Sequence, residues 1–234
     1  MRQTPFWIIG NWKSNKTIGE AISWLQEFVG LWKKQPYDAK KVRVILCPAY
    51  THLYTLVSYK QLARIPLEFG LQDISPFPHG TYTGAISARM VKDLVSVTLV
   101  GHSERRRHFH ETETELLAKI ERAREAAIEP VYCVQNTKMS IPEDINIIGY
   151  EPPWAISKGD PYATKPESAD AADRVAKSIK QKTERPVTVI YGGSTTPENV
   201  HTYVKKQYID GVLPGGASLQ AVTFFNLIHN ASNG

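Results

Sequence analysis

Three short apolar runs end in residues whose types suit proton transfer: "INIIGY" is closed by Glu151, "SVTLVG" by His102, and "FWIIG" by Asn11 and Lys13. A carboxylate beside a neutral imidazole and a buried ammonium is the set that removes a proton next to a carbonyl. It provides a base, an electrophile on the oxygen, and fixed positive charge for the enediolate that develops. Two more runs end in glycine, with Gly192, Gly193 and Ser194 after "PVTVIY" and Gly215 and Gly216 after "DGVLP". Lacking Cβ atoms, such pairs let backbone N–H groups come close to an anion, phosphate above all. Taken singly, each residue has an ordinary reading as a surface lysine, a polar helix start, a solvated strand end or a turn. Their recurrence at run ends is what points to one site.

Other chemistry has less support. "HSERRRHFHE" places His102, His108 and His110 near Glu104 and Glu111. No His-Glu-x-x-His spacing occurs and three arginines would repel a divalent ion, so no metal is expected. The "RRR" lacks interleaved aromatics and a basic tail, and reads as a salt-bridged or solvated helix start instead of a nucleic-acid contact. A formal net charge of +5 suits an anionic partner without identifying one. Cys47 and Cys133 lie inside β-rich runs, as buried reduced thiols do. "FWIIG" breaks at "NWKSN", too soon for an export signal and far short of the ~20 apolar residues of a membrane span. A cytoplasmic location without membrane contact is the expectation.

The elements that would position these residues are legible as eight short apolar or β-branched runs: "FWIIG", "VRVILC", "PLEFGLQ", "SVTLVG", "PVYCV", "INIIGY", "PVTVIY" and "DGVLPG". Helical spacing fills most gaps, as in "TIGEAISWLQEFVGLWKK", "ETELLAKIERAREAA" and "KPESADAADRVAKSIKQK", with Pro166 expected in the first turn of the last. Runs buried on both faces and joined by helices imply a parallel sheet. Eight such units predict a single-domain (β/α)8 barrel over residues 1–234. Its chemistry belongs at the C-terminal strand ends, with phosphate after strands seven and eight. One unit is short, because only "QNTKMSIPEDIN" separates runs five and six. The helix there is expected to be shortened or missing, either a single turn begun at Ser140 with Pro142 inside it or an irregular link.

"GNWKSN", "VGHSERR", "YEPPWAI", "YGGSTTPEN" and "DGVLPGGASL", in this order from Ile8 to about Leu219, resemble the triosephosphate isomerase family. The resemblance implies cofactor-free interconversion of dihydroxyacetone phosphate and glyceraldehyde 3-phosphate. It assigns Glu151 as base, His102 as electrophile, Lys13 as essential cation, Asn11 as its substrate-binding neighbour and Glu104 as the carboxylate paired with the lysine. Ser194, Gly215 and Gly216 match the phosphate grip. "PPWAISKGDPYA" matches a mobile lid, with Ser157 at a substrate-binding position where the family usually has glycine. Other departures are a "GDPYA" hinge one residue longer, Pro214 for an aliphatic residue, "CVQN" for "CIGE", and Ala85 for a glutamate in the third loop. The family precedent also implies a homodimer in which "PFPHGTYTGAIS" inserts beside the partner's site, Thr83 reaching across and Phe77 and Tyr82 as apolar anchors. A tetramer through the thinly covered wall is the other assembly considered. Competing functional readings are a non-catalytic or weakly active phosphate-binding barrel and another sugar-phosphate isomerase.

Overall fold

The structure, a computed structural model, describes residues 4–155 and 167–234. Eight parallel strands close into a barrel in sequence order, β8 pairing back onto β1. They are β1 Phe6–Asn11, β2 Val42–Cys47, β3 Glu68–Leu71, β4 Val97–Val100, β5 Glu129–Val134, β6 Ile147–Tyr150, β7 Thr188–Tyr191 and β8 Gly211–Val212. Around them lie α1 Ile18–Lys34, α2 Tyr50–Ala63, α3 Ala88–Val91, α4 Ser103–His108, α5 Glu113–Glu125, α6 Ala169–Thr183, α7 Val200–Val204 and α8 Ala221–Asn233.

Why the runs are apolar on both faces follows from where successive side chains go. Ile9, Ile45, Cys47, Leu99, Val131 and Ile190 point into the barrel and pack on one another. Their chain neighbours Ile8, Val44, Leu46, Val100, Tyr132 and Val189 join the layer between strands and helices. The period of two is intact, but both sides are largely shielded from water, so little polar alternation shows in the sequence.

The helices begin where local hydrogen bonding dictates. Thr17 and Glu20 form a reciprocal capping box at the start of α1, and Thr112 and Glu115 form one at α5. The α1 residues Ala21, Trp24, Leu25 and Phe28 then fall on one buried face, with Trp24 and Phe28 stacked at 5.1 Å. Ser168 caps α6 by accepting the Ala171 amide hydrogen at 3.2 Å. The expectation that Pro166 opens this helix is therefore corrected: the helix starts at Ala169, and Pro166 lies outside the described residues. A serine side chain satisfies a free helix amide, which proline cannot do.

Between β5 and β6 the chain forms turns and no helix, the irregular alternative of the two expected. Carbonyls that a helix would satisfy internally take donors from elsewhere. The Lys182 ammonium donates to Thr137 O at 3.0 Å and Met139 O at 2.9 Å, and the Arg185 guanidinium to Pro142 O at 3.0 Å and Ile145 O at 2.5 Å. Met139 and Ile141 turn inward onto the core and cover the strands a helix would otherwise cover.

The arginine run splits by function. Arg105 sits between Asp73 and Glu111, which Lys119 also engages, and Arg106 holds Gly101 O at 2.8 Å and the Tyr132 hydroxyl at 3.1 Å. Arg107 is exposed. Two of the three thus anchor α4, the helix that follows His102, as a salt-bridged helix start does. No helix among the described residues is long and apolar enough to cross a membrane.

Candidate active site

Asn11, at the end of β1, is buried, with its amide donating to Pro214 O at 2.9 Å and its side-chain oxygen accepting from the Lys13 amide at 2.9 Å. Lys13 itself takes the left-handed backbone region, φ 55°. That conformation costs a non-glycine residue on the order of 1–3 kcal/mol and persists only when its surroundings over-determine it. Here the Gln72 amide adds a bond to Lys13 O at 2.9 Å. The consequence is that Nζ reaches Glu104 Oε1 at 2.6 Å, a pair 91 residues apart in sequence.

His102 leaves β4 through Gly101, whose φ of 71° favours glycine and whose missing Cβ leaves space for the Arg106 guanidinium. The His102 ring caps α4: Nδ1 accepts the Glu104 amide hydrogen at 3.2 Å. Accepting there requires an unprotonated Nδ1, so the ring proton rests on Nε2. That nitrogen lies 3.3 Å from Glu151 Oε1.

Glu151 follows β6 directly, held by its amide on Val134 O at 2.8 Å. It is only 1% exposed. Oε2 accepts from the Ser103 amide at 2.8 Å, while Oε1 makes no hydrogen bond. A buried carboxylate with one oxygen unpaired is poised to exchange partners. Against it lies Cys133, whose thiol is pushed well above its ordinary value, first by burial and then by the Glu151 charge. Cys133 and Cys47 are both buried and free.

The first glycine pair does more than leave room for an anion. A Cβ on Gly192 would stand 2.8 Å from Glu151 Cγ and 3.2 Å from Tyr150 O, and one on Gly193 would stand 2.1 Å from the Tyr191 hydroxyl. Gly192 therefore makes space for the carboxylate and Gly193 for the tyrosine beneath the loop. Gly192→Ala is expected to displace Glu151 and, on the reading of Glu151 as the base, to lower kcat by at least ~10-fold, since misplacing a reacting group by about 1 Å costs up to ~10²-fold. Steady-state kinetics alongside a urea midpoint separates this from a loss of folded protein. In the second pair, a Cβ on Gly215 would meet Lys13 Cε at 3.3 Å.

Several of these residues line a cavity of about 500 Å³, bounded by Lys13, His102, Ala155, Gly192, Gly193, Ser194, Leu213, Gly215 and Gly216 among others. Glu151 lies behind this wall, against Ser103. Ser194 lines the cavity, but its amide donates to Ala155 O at 3.1 Å. Among the described residues, no backbone acceptor takes the Gly215 or Gly216 amide. Ser157 lies outside the described residues. His108 and His110 are exposed, and no group of three potential metal ligands occurs among the described residues. Three features had no signal as single residues: the Ser103 amide under Glu151, the Cys133 thiol beside it, and the space-making part of Gly192. Strand register could have suggested Cys133, which pairs with Gly149 two residues before Glu151.

A closed eight-stranded barrel whose carboxyl rim carries an imidazole, an ammonium and glycine loops around one cavity, with a carboxylate behind its wall, defines a single-domain protein of the TIM-barrel class. A family model described as Triosephosphate isomerase matches residues 6–231. The triosephosphate isomerase of Mesomycoplasma hyopneumoniae (strain 7448) is 36% identical, over 96% of this chain and 98% of that protein. Those of Dictyoglomus turgidum and Gloeobacter violaceus are 33% and 34% identical, over 95% of this chain and 98% and 97% of their own lengths. The chain belongs to the triosephosphate isomerase family.

Proposed function

We propose that this chain interconverts dihydroxyacetone phosphate and D-glyceraldehyde 3-phosphate by proton transfer through an enediolate. The observation that carries the reading is that Lys13 and His102 line one cavity while Glu151, directly behind its wall, lies only 3.3 Å from His102, in a member of this family. Glu151 takes the proton from the carbon next to the carbonyl and returns it to the neighbouring carbon, after leaving the Ser103 amide for the substrate. His102 donates from Nε2 to the substrate oxygens, and the Glu104 amide holding Nδ1 fixes that tautomer. Lys13 stabilises the negative oxygen, with Glu104 orienting its ammonium and Asn11 shaping its turn. The Gly215 and Gly216 amides hold the phosphate. Ser194 joins them once its amide is released from Ala155 O, so phosphate binding and the position of Ala155 are coupled.

A coupled assay supplied with each triose phosphate in turn tests the reading. Turnover in both directions is expected. Phosphate binding without turnover would favour the non-catalytic barrel, and turnover of longer sugar phosphates alone would favour another isomerase.

The same reading includes a cytoplasmic homodimer. Phe77 and Tyr82 in the third loop stack at 4.6 Å while remaining 49% and 39% exposed, an apolar anchor available to a second copy. Loss of a glutamate at Ala85 does not strand Arg105, because Asp73 and Glu111 engage it within the chain. The β5–β6 link covers its strands with Met139 and Ile141, which favours a dimer over a tetramer built on that wall. Light scattering at micromolar concentration is expected to give twice the chain mass of 26.3 kDa; an active monomer at every concentration would refute the dimer.

A further inference from the structure

The loop between β1 and α1 carries a second lysine in the left-handed region, Lys16, φ 75°. Lys13 turns one way, into the cavity, and Lys16 turns back across the loop. Its Nζ donates to Leu219 O at 2.7 Å and lies 5.1 Å from the centroid of the Trp12 ring. Trp12 is fully buried, and its indole N–H donates to Ser218 O at 3.0 Å. Two bonds from one loop thus end on consecutive carbonyls of the β8–α8 connection. That connection opens with Gly215 and Gly216, and the Ser218 hydroxyl ties back to Gly215 O at 2.6 Å. Within the β1–α1 loop, the Asn15 side chain donates to Trp12 O at 2.7 Å and closes the turn between the two lysines.

An ordinary surface lysine does not look like this. A solvated lysine gains nothing from a left-handed backbone, and it leaves a carbonyl across the molecule to water. Lys16 is half-buried, and its cation spends two interactions, a charge-assisted hydrogen bond and an aromatic face, on holding one loop to another. The two loops hold opposite ends of the proposed substrate: Lys13 meets the oxyanion, and Gly215 with Gly216 meets the phosphate.

We infer that Lys16 is a positioning residue, a staple that fixes the distance between the Lys13 ammonium and the phosphate-binding glycines. This rests on the isomerase reading above. Lys16 does not line the cavity itself. Releasing it lets the two loops drift relative to each other while each keeps its own groups, so the chemical step suffers and phosphate recognition survives.

The test compares Lys16→Arg, Lys16→Gln and Lys16→Met with the unsubstituted chain in the triose-phosphate assay, with inhibition by inorganic phosphate measured in parallel. Turnover is normalised to folded protein by circular dichroism. Arg keeps cation and donor, Gln keeps a donor alone, and Met keeps only the aliphatic stem. Positioning predicts kcat near normal for Arg, intermediate for Gln and at least ~10-fold lower for Met, with the phosphate inhibition constant unchanged within about twofold throughout. If Met fails to fold, Gln against Arg carries the same comparison. Equal kcat in all folded variants overturns the role of Lys16. Phosphate inhibition that weakens in step with kcat overturns it too, because Lys16 would then be attracting the anion directly. Absence of turnover in the unsubstituted chain overturns the isomerase reading itself, an outcome distinct from both.

Discussion

Glu151→Gln is expected to lower kcat by at least ~100-fold with the fold intact, because a positioned general base contributes ~10²–10⁴-fold, or about 3 to 5 kcal/mol. The geometry makes this substitution a clean one. Gln has the same shape, and its carbonyl oxygen can take the place of Oε2 and accept from the Ser103 amide, now 2.8 Å away. Its NH₂ would then face His102 Nε2 across the present 3.3 Å gap, where two donors meet and the side chain rotates slightly. The buried negative charge against Cys133 disappears, which offsets the cost of the donor–donor contact, so stability in urea should change little. Steady-state kinetics in both directions and a urea midpoint are the measurements. Near-native kcat would remove Glu151 from the role of base.

Lys13→Met should cost still more. Removing one donor to a developing oxyanion typically costs ~10²–10³-fold in kcat. Here the loss also leaves Glu104, 36% exposed and now 2.6 Å from Nζ, without its partner beside the proposed anion site. Substrate binding should weaken along with turnover, giving a fall in kcat/KM of at least ~10³-fold. The Lys13→Met, Glu104→Gln double variant separates the two contributions. Neutralising Glu104 should restore part of KM, since the repulsion is gone, and none of kcat, since the cation is still missing. Full recovery of kcat in the double variant would mean that Lys13 acts only by masking Glu104.

Much of this protein was readable from residue order, and the reason is that barrel elements are local. Each strand is a short apolar run because both its faces are covered, and each of β1 to β8 coincides with one of the runs expected from sequence, β1 and β5 extending one residue beyond it. Helices α1 and α5 start where a threonine and a glutamate three residues later can cap one another. Reading the residue that closes each run was enough to collect Asn11, Lys13, His102, Glu151 and the glycine pairs, because a parallel barrel delivers every strand end to one rim. The shortened β5–β6 unit was visible as a simple lack of residues.

Tertiary structure decided how closely those residues meet, because most of these contacts join segments that are distant in the chain. The resemblance implies the Glu104–Lys13 pair, but only barrel closure brings it to 2.6 Å, turns the Ser103 amide onto Glu151, and sends Arg105 to Asp73. No periodicity encodes that Gly192 must be small for Glu151 to lie where it does, or that the Ser194 amide is occupied by Ala155 O. The same holds for Lys182 and Arg185, which take up the carbonyls left by the missing helix, and for Lys16, whose bond to Leu219 O spans 203 residues. A sequence states which groups are present and which elements carry them. Distances of an ångström or two, which separate a paired charge from an unpaired one and a free amide from a bonded one, exist only once the strands have closed on each other.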